Sequence, residues 1–432
     1  MANHSVAVLP LASRTAGEDE SWLGQGIADE MIHALSWVAG LRVAPLALSM
    51  RFPADAAEPA AVGERLGAES LLLGEFRRDD ETIELAVRLV RAQSGEVLWK
   101  ARYVEKFARI HDIQDDILKH LVNALGLKAP DIGQLSVKTG STHDMQAYDD
   151  YLRGLNYFFR YAEKNLRLAL EMFGSAVDGD PAFARAWARL AECHAKYFMY
   201  YDAAGRQHCE RALVAGKRAV ELAPAFARAH TALGTAELIN RNFQAAEKAF
   251  ERAVELNPRQ FDAYYQHART CFQQGNLKRA AELFEQAVRF QPDDYQAPLL
   301  LRQVYLSLGR VDEARTTAQR GLALAQRHLE LNSKDARAIY LACGSMIQLG
   351  MYQAAMEWSE RALAIDPDDP MINYNVACCY AQAGEPEKAL DCLDKAKGSG
   401  MLSAGWLKND SDLFSLHDHP RFQALLAGLQ TA

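Results

Sequence analysis

The sequence of 432 residues predicts two fold classes in succession: an α/β domain with a mixed sheet and helices, then an all-α solenoid of repeated helical hairpins. Three observations carry this. Apolar residues in the first 130 positions switch between a period of two and a period near 3.6, whereas beyond them the helical period persists. Prolines after apolar helical stretches then recur at fixed spacing. Finally, 49% of the residues are hydrophobic and 24% charged, which suits a chain with ample core and argues against disorder.

The elements of 1–130 follow in order. Ser5 to Leu9 reads as a short buried strand, and Gly24 to Val38 as a helix with Ile27, Met31, Leu35 and Val38 on one stripe. Leu41 to Leu46 is a second strand and Ala60 to Leu66 a short helix. Three strands come next, over Ser70 to Phe76, Thr82 to Val90 and Glu96 to Val104. In the middle one Ile83, Leu85, Val87 and Leu89 alternate with Thr82, Glu84, Ala86 and Arg88, the pattern of a half-buried strand. The turns Arg78-Asp79-Asp80-Glu81 and Gln93-Ser94-Gly95 make the three a meander. His111 to Leu125 closes the domain as a helix. Ser5-Val6-Ala7-Val8-Leu9-Pro10, Gly26-Ile27-Ala28-Asp29-Glu30-Met31-Ile32, Leu73-Gly74-Glu75-Phe76-Arg77-Arg78 and Gly95-Glu96-Val97-Leu98-Trp99 resemble the TolB-like amino-terminal domain of bacterial regulators. That family often pairs this domain with a winged-helix, cyclase or kinase effector. No such effector precedes Ser5, so the resemblance implies regulation without those activities.

Beyond a linker at 131–147, Pro224, Pro258 and Pro292 stand 34 residues apart, and Pro367 stands 34 beyond Ser333, which takes a proline's place. The interval from Pro181 to Pro224 is nine residues longer, and that from Pro292 to Ser333 seven longer. Seven is close to two helical turns, so a lengthened helix can absorb it without rotating its buried stripe much. Gly234, Ala246, Phe250 and Ala253 recur 34 residues on as Ala268, Ala280, Phe284 and Ala287, and Tyr151, Gly154, Ala169, Phe173 and Ala176 form an earlier unit. Period and residues resemble the tetratricopeptide repeat (TPR), which implies about seven units over 148–403 in an all-α TPR superhelical solenoid. Leu413, Phe414, Leu416, Phe422, Leu425 and Leu429 make 404–432 a C-terminal capping segment.

Charge and cysteine usage narrow the function. Lys+Arg total 48 against Asp+Glu 56, a net −8, so the basic excess needed for nucleic acid is missing. The seven cysteines, an odd number all beyond residue 190, read as reduced thiols in a cytoplasmic protein. No apolar run reaches a membrane span, and the N-terminus lacks a basic region before an apolar one, so neither a membrane nor a secretory signal is expected.

Catalytic chemistry is weakly represented. Gly24-Gln25-Gly26 opens a predicted helix, yet the third glycine of a dinucleotide fingerprint is replaced by Asp29, which favours a helix-start loop over nucleotide binding. Cys193-His194 and His208-Cys209 fit no zinc-finger spacing. The sequence therefore predicts no catalytic residue, no cofactor and no metal: a non-enzymatic scaffold.

First helices of such hairpins line the concave side, and here that groove offers Arg228, Thr231, Asp262, Tyr265, Arg269, Gln273, Gln303, Arg337, Tyr340 and Tyr374. Tyrosine, arginine and glutamine suit a protein or peptide partner, because they combine contact area with hydrogen bonding. The groove can instead be filled by the chain's own N-terminal domain or by a second copy in a homodimer. Two other readings stay open: the regulatory part of a bacterial signalling system whose cyclase, kinase or transcription effector is on another chain, and a nucleotide or small-ligand binder acting through the N-terminal domain.

Overall fold

A computed structural model describes residues 4–14, 20–54, 56–79, 81–128, 139–159, 163–201, 205–397 and 402–430. The chain falls into two compact units, Met1–Cys193 with Lys217–Ala229, and His194–Gly216 with His230–Ala432.

The first unit holds a sheet ordered β3-β1-β4-β5-β6, made of Leu41–Val43, His4–Val8, Ser70–Arg78, Thr82–Arg91 and Val97–Lys106; a two-residue β2, Ala12–Ser13, also pairs with β4. β1 runs parallel to both neighbours, whereas β4, β5 and β6 form the antiparallel meander. The sheet is thus mixed, as the sequence predicts. Parallel strands need crossovers, which Ser21–Leu35 (α1), Leu46–Ser49 (α2) and Pro59–Leu66 (α3) supply. Ile110–Ala124 (α4) follows the meander. β2 and α2 escape sequence reading because two and four residues show no period. The Arg78 to Glu81 turn includes Asp80, which lies outside the described residues, as do 131–138 of the expected linker.

The helix expected from Gly24 begins a turn earlier, at Ser21, and ends at Leu35. This places Gly24 and Gly26 inside α1. A Cβ on Gly24 would lie 2.0 Å from the Leu11 carbonyl oxygen, and one on Gly26 2.4 Å from a Leu152 methyl. The two glycines are thus accounted for by close packing.

Helical hairpins follow: Met145–Phe158 (α5) with Glu163–Gly179 (α6), Ala184–Tyr200 (α7) with Arg206–Leu222 (α8), and Ala227–Ile239 (α9) with Phe243–Leu256 (α10). The second unit continues with Phe261–Gln273 (α11) and Leu277–Phe290 (α12), Gln296–Ser307 (α13) and Val311–Leu331 (α14), Ala336–Gln348 (α15) and Tyr352–Ile365 (α16), and Pro370–Gln382 (α17) with Pro386–Ala396 (α18). Two of the hairpins are wedged open by the same device. A Cβ on Gly154 would meet the Phe173 ring at 2.5 Å, and one on Gly234 the Phe250 ring at 2.6 Å, so a missing side chain on one helix admits an aromatic from the next. Gly275, Gly309, Gly350 and Gly384 make the inter-helix turns at φ between +74° and +81°; Arg241 holds the corresponding place at φ +62°. The seven extra residues after Pro292 are absorbed as helix, since α14 runs to 21 residues where α12 has 14.

The C-terminal stretch ends in Ala404–Asn409 (α19), the 3₁₀ turns of Ser411–Leu416 and Pro420–Gln430 (α20). Leu407, Leu413 and Phe422 are fully buried within the core cluster that holds Phe272, Phe284, Val304, Ala377 and Leu393. Among the described residues no helix is long and apolar enough to cross a membrane.

Candidate functional site

The first helices of the hairpins carry the chemistry, and two stretches of the same chain already occupy part of it. In the first unit α1 presents Asp29 and Glu30, both buried. Glu30 accepts from Arg185 at 3.0 Å, from Gln114 at 3.0 Å and from the Tyr148 hydroxyl. Asp29 accepts from Arg189 at 2.9 Å, and Arg189 also pairs with Glu192 at 3.0 Å. Arg228 donates to His33 Nδ1 at 3.0 Å. Burial, then Arg228, Arg185 and Arg189, hold the His33 pKa well below its ordinary value, so the ring is neutral and can accept. Buried charges are tolerable here because each guanidinium meets a carboxylate or other acceptor.

In the second unit the segment from Ser403 to Asp412 lies along α11, α13 and α17. Trp406 packs edge-on against Phe272 at 4.8 Å and donates to the Tyr374 hydroxyl at 2.9 Å. Tyr374 donates in turn to Asp410. Arg302 grips Asp412 bidentately at 3.1 and 2.5 Å. Asn409 donates to the Phe272 carbonyl at 3.0 Å, and Gln273 to Ser403 at 3.0 Å. Gly405 comes so near that a Cβ would lie 2.4 Å from the Gln273 carbonyl oxygen. Burial, then Asp412, raises the Asp410 pKa to about 6.

Between these contacts on the second unit's first helices, another group converges. Arg337 donates to the Tyr265 hydroxyl at 3.0 Å, to the Tyr340 hydroxyl at 3.1 Å and to Gln296 at 2.7 Å, all neutral acceptors. Its guanidinium also lies 5.7 Å from the Tyr200 ring centre. Arg269 lies 5.7 Å from the Tyr265 ring and hydrogen-bonds Tyr200. Burial would raise the Tyr200 pKa, but Arg337 and Arg269 outweigh it and bring the phenol down to about 8. Asp294 sits nearby with its carboxyl raised by burial to about 6.

The ten sequence-predicted groove residues therefore separate. Arg228 faces α1, and Gln273, Gln303 and Tyr374 meet the C-terminal segment, Gln303 through Asp410. Thr231 is buried and accepts from Gln260 at 2.8 Å. Tyr265, Arg269, Arg337 and Tyr340 come together, and Asp262 is exposed. Sequence reading missed Arg185, Arg189 and Arg302, whose partners lie more than 100 residues away, and Tyr200, which ends α7 outside the helix faces counted as groove.

Comparison with known proteins accounts for the hairpins. Residues 199–260 and 231–295 match one tetratricopeptide-repeat family model, and 271–338 and 346–400 another. The hairpins within 199–338 and 346–400 are tetratricopeptide repeats. The domain that precedes the TPR hairpins is different: residues 2–121 match the model of the HilA/YgeH-like transcriptional regulator second domain. A protein of Rhizobium meliloti (strain 1021) named "Putative adenylate cyclase 3" is 27% identical over 249 residues, 57% of this chain and 42% of its own. A chloroplastic protein of Arabidopsis thaliana is 32% identical over 80 residues, 18% of this chain and 24% of its own. The chain thus spans less than half the length of these curated relatives. Among solved TPR structures, a thermophilic TPR protein of Thermus thermophilus is 23% identical, covering 44% of this chain and 98% of its own at a TM-score of 0.37. MamA is 22% identical, covering 39% and 93% at 0.32.

Proposed function

We propose that the chain is a non-enzymatic scaffold whose TPR hairpins bind a segment of a protein partner through the Tyr265, Arg269, Arg337 and Tyr340 face. The observation that carries this is the arginine pair: Arg337 spends its hydrogen bonds on neutral phenols and an amide, with Arg269 beside the same tyrosines. Asp294, Asp335 and Asp369 feel the Arg337 charge without a hydrogen bond to its guanidinium, so a carboxylate on a partner segment would add a direct ionic contact while the tyrosines supply contact area. Tyr265, Arg269 and Tyr340 are buried, so a partner would reach this group through the half-buried Arg337 and the exposed Asp262. Affinity purification from the native cell extract with the full chain, against an Arg337→Glu variant of unchanged helix content, tests it. An identical set of partners would overturn the assignment.

A second reading favours regulation. The likeness of residues 2–121 to a domain of transcriptional regulators, and of 249 residues to a protein named for a cyclase, supports a TolB-like regulatory domain serving an effector on another chain. Co-expression with any cyclase, kinase or winged-helix protein encoded beside it tests this: failure to co-purify would remove the reading.

A further inference from the structure

Away from the groove, α10 and α11 bring together three side chains of metal-ligating type. His267 and Cys271 are four residues apart on α11 and so share a face, while Glu247 reaches them from α10. Their ligand atoms all lie within 4.8 Å of one another. Three points so spaced always share a centre within about 2.8 Å of each, 4.8 Å divided by √3, against bond lengths of about 2.0 Å to nitrogen or oxygen and about 2.3 Å to sulfur. A contraction of about 0.5 Å at sulfur and about 0.8 Å at nitrogen and oxygen at most closes the site, within reach of a glutamate rotamer change.

We propose that Glu247, His267 and Cys271 form a zinc site that ties one hairpin to the next. Thiolate, imidazole and carboxylate together select a borderline-soft divalent ion, and three protein ligands leave a fourth position for water. The independent sign is His267. It is 3% exposed, yet its ring stacks on Phe250 at 5.8 Å and no hydrogen bond to its nitrogens is found among the described residues. An imidazole that makes no hydrogen bond keeps a lone pair available to an ion. Binding must expel the Cys271 thiol proton to the buffer as the zinc–sulfur bond forms. Glu247 is half-buried and steadied by a 2.9 Å hydrogen bond from Gln274, which leaves an entry path from solvent. Arg279 opposes the cation, but it is turned onto Glu282 at 2.9 Å.

The test uses the full chain, stripped with chelator and titrated with Co²⁺ as spectroscopic probe, then Zn²⁺. A sulfur-to-cobalt charge-transfer band saturating at one equivalent and displaced by Zn²⁺ is expected. Cys271→Ser should abolish the band, Cys392→Ser should retain it, and Glu247→Gln, at a half-buried position, should keep the fold and weaken binding at least tenfold. No band in the unaltered chain, a full band in Cys271→Ser, or unchanged affinity in Glu247→Gln overturns the site.

Discussion

Replacing Asp412 with alanine should release the C-terminal segment from its hairpins. Both partners are sealed off, with side chains 4% and 6% exposed, and the Arg302 Nε already has no acceptor, so the guanidinium depends on Asp412 for its charge. Gly344 closes over the pair: a Cβ there would lie 2.7 Å from Arg302. Breaking a buried pair by removing one partner costs about 3–5 kcal/mol, and about 1.4 kcal/mol is a factor of ten. The amide of Leu413, bonded to the Asp410 carbonyl at 3.1 Å, should therefore lose roughly two to three and a half powers of ten in exchange protection. Hydrogen exchange followed by mass spectrometry reads this directly. The paired variant Arg302→Met, Asp412→Leu should recover most of the protection, because an apolar pair removes the stranded charge. A loss under tenfold in Asp412→Ala, or a paired variant as exposed as the single one, refutes the reasoning.

Other perturbations follow from the same inventory. Glu30→Ala strands Arg185 and leaves Tyr148 and Gln114 without their shared acceptor, so the first unit should lose about 3–5 kcal/mol in a denaturant titration. Arg241→Gly should stabilise by about 1 kcal/mol, since arginine holds a turn that glycine makes in four later hairpins; a lower midpoint in thermal melts would contradict this. Between about pH 4 and 6 two groups oppose each other. Asp294, raised by burial to about 6, contributes stability that is lost as pH rises, whereas His194, lowered by burial and then His208 to about 3, contributes stability that is lost as pH falls. Against the unaltered chain, Asp294→Asn should make stability climb more steeply with pH and His194→Gln less steeply, both read from melts across that window. Tyrosinate absorbance should rise with a midpoint near pH 8 and vanish in Tyr200→Phe.

The repeats were legible because their signal is local: a proline, a glycine and an aromatic return every 34 residues whatever lies elsewhere. The meander was legible for the same reason, as Thr82 to Val90 alternates by itself. What fills the first-helix face was not legible. Asp29 and Glu30 carry no local mark of burial, which follows only from Arg185 and Arg189, some 155 to 160 positions on. Asp412 likewise reads as the polar margin of a cap until Arg302, 110 residues upstream, is placed against it. The Glu247, His267 and Cys271 grouping was half visible, since a histidine and a cysteine four apart share a helix face, but the glutamate comes from another helix and no spacing rule announces it.

The two filled stretches bear on how partners of this protein should be sought. A fragment trimmed to the hairpins would uncover Arg185 and Arg189 on losing α1, and Arg302 with the Phe272 and Tyr374 rings on losing Trp406 and Asp412. Such a fragment would offer bare guanidiniums beside exposed rings to any acidic, aromatic peptide in a lysate, and what it captured would be substitutes for the chain's own ends. Ligands found with the whole chain, and lost when Arg337 is changed, are the ones that compete with nothing built in.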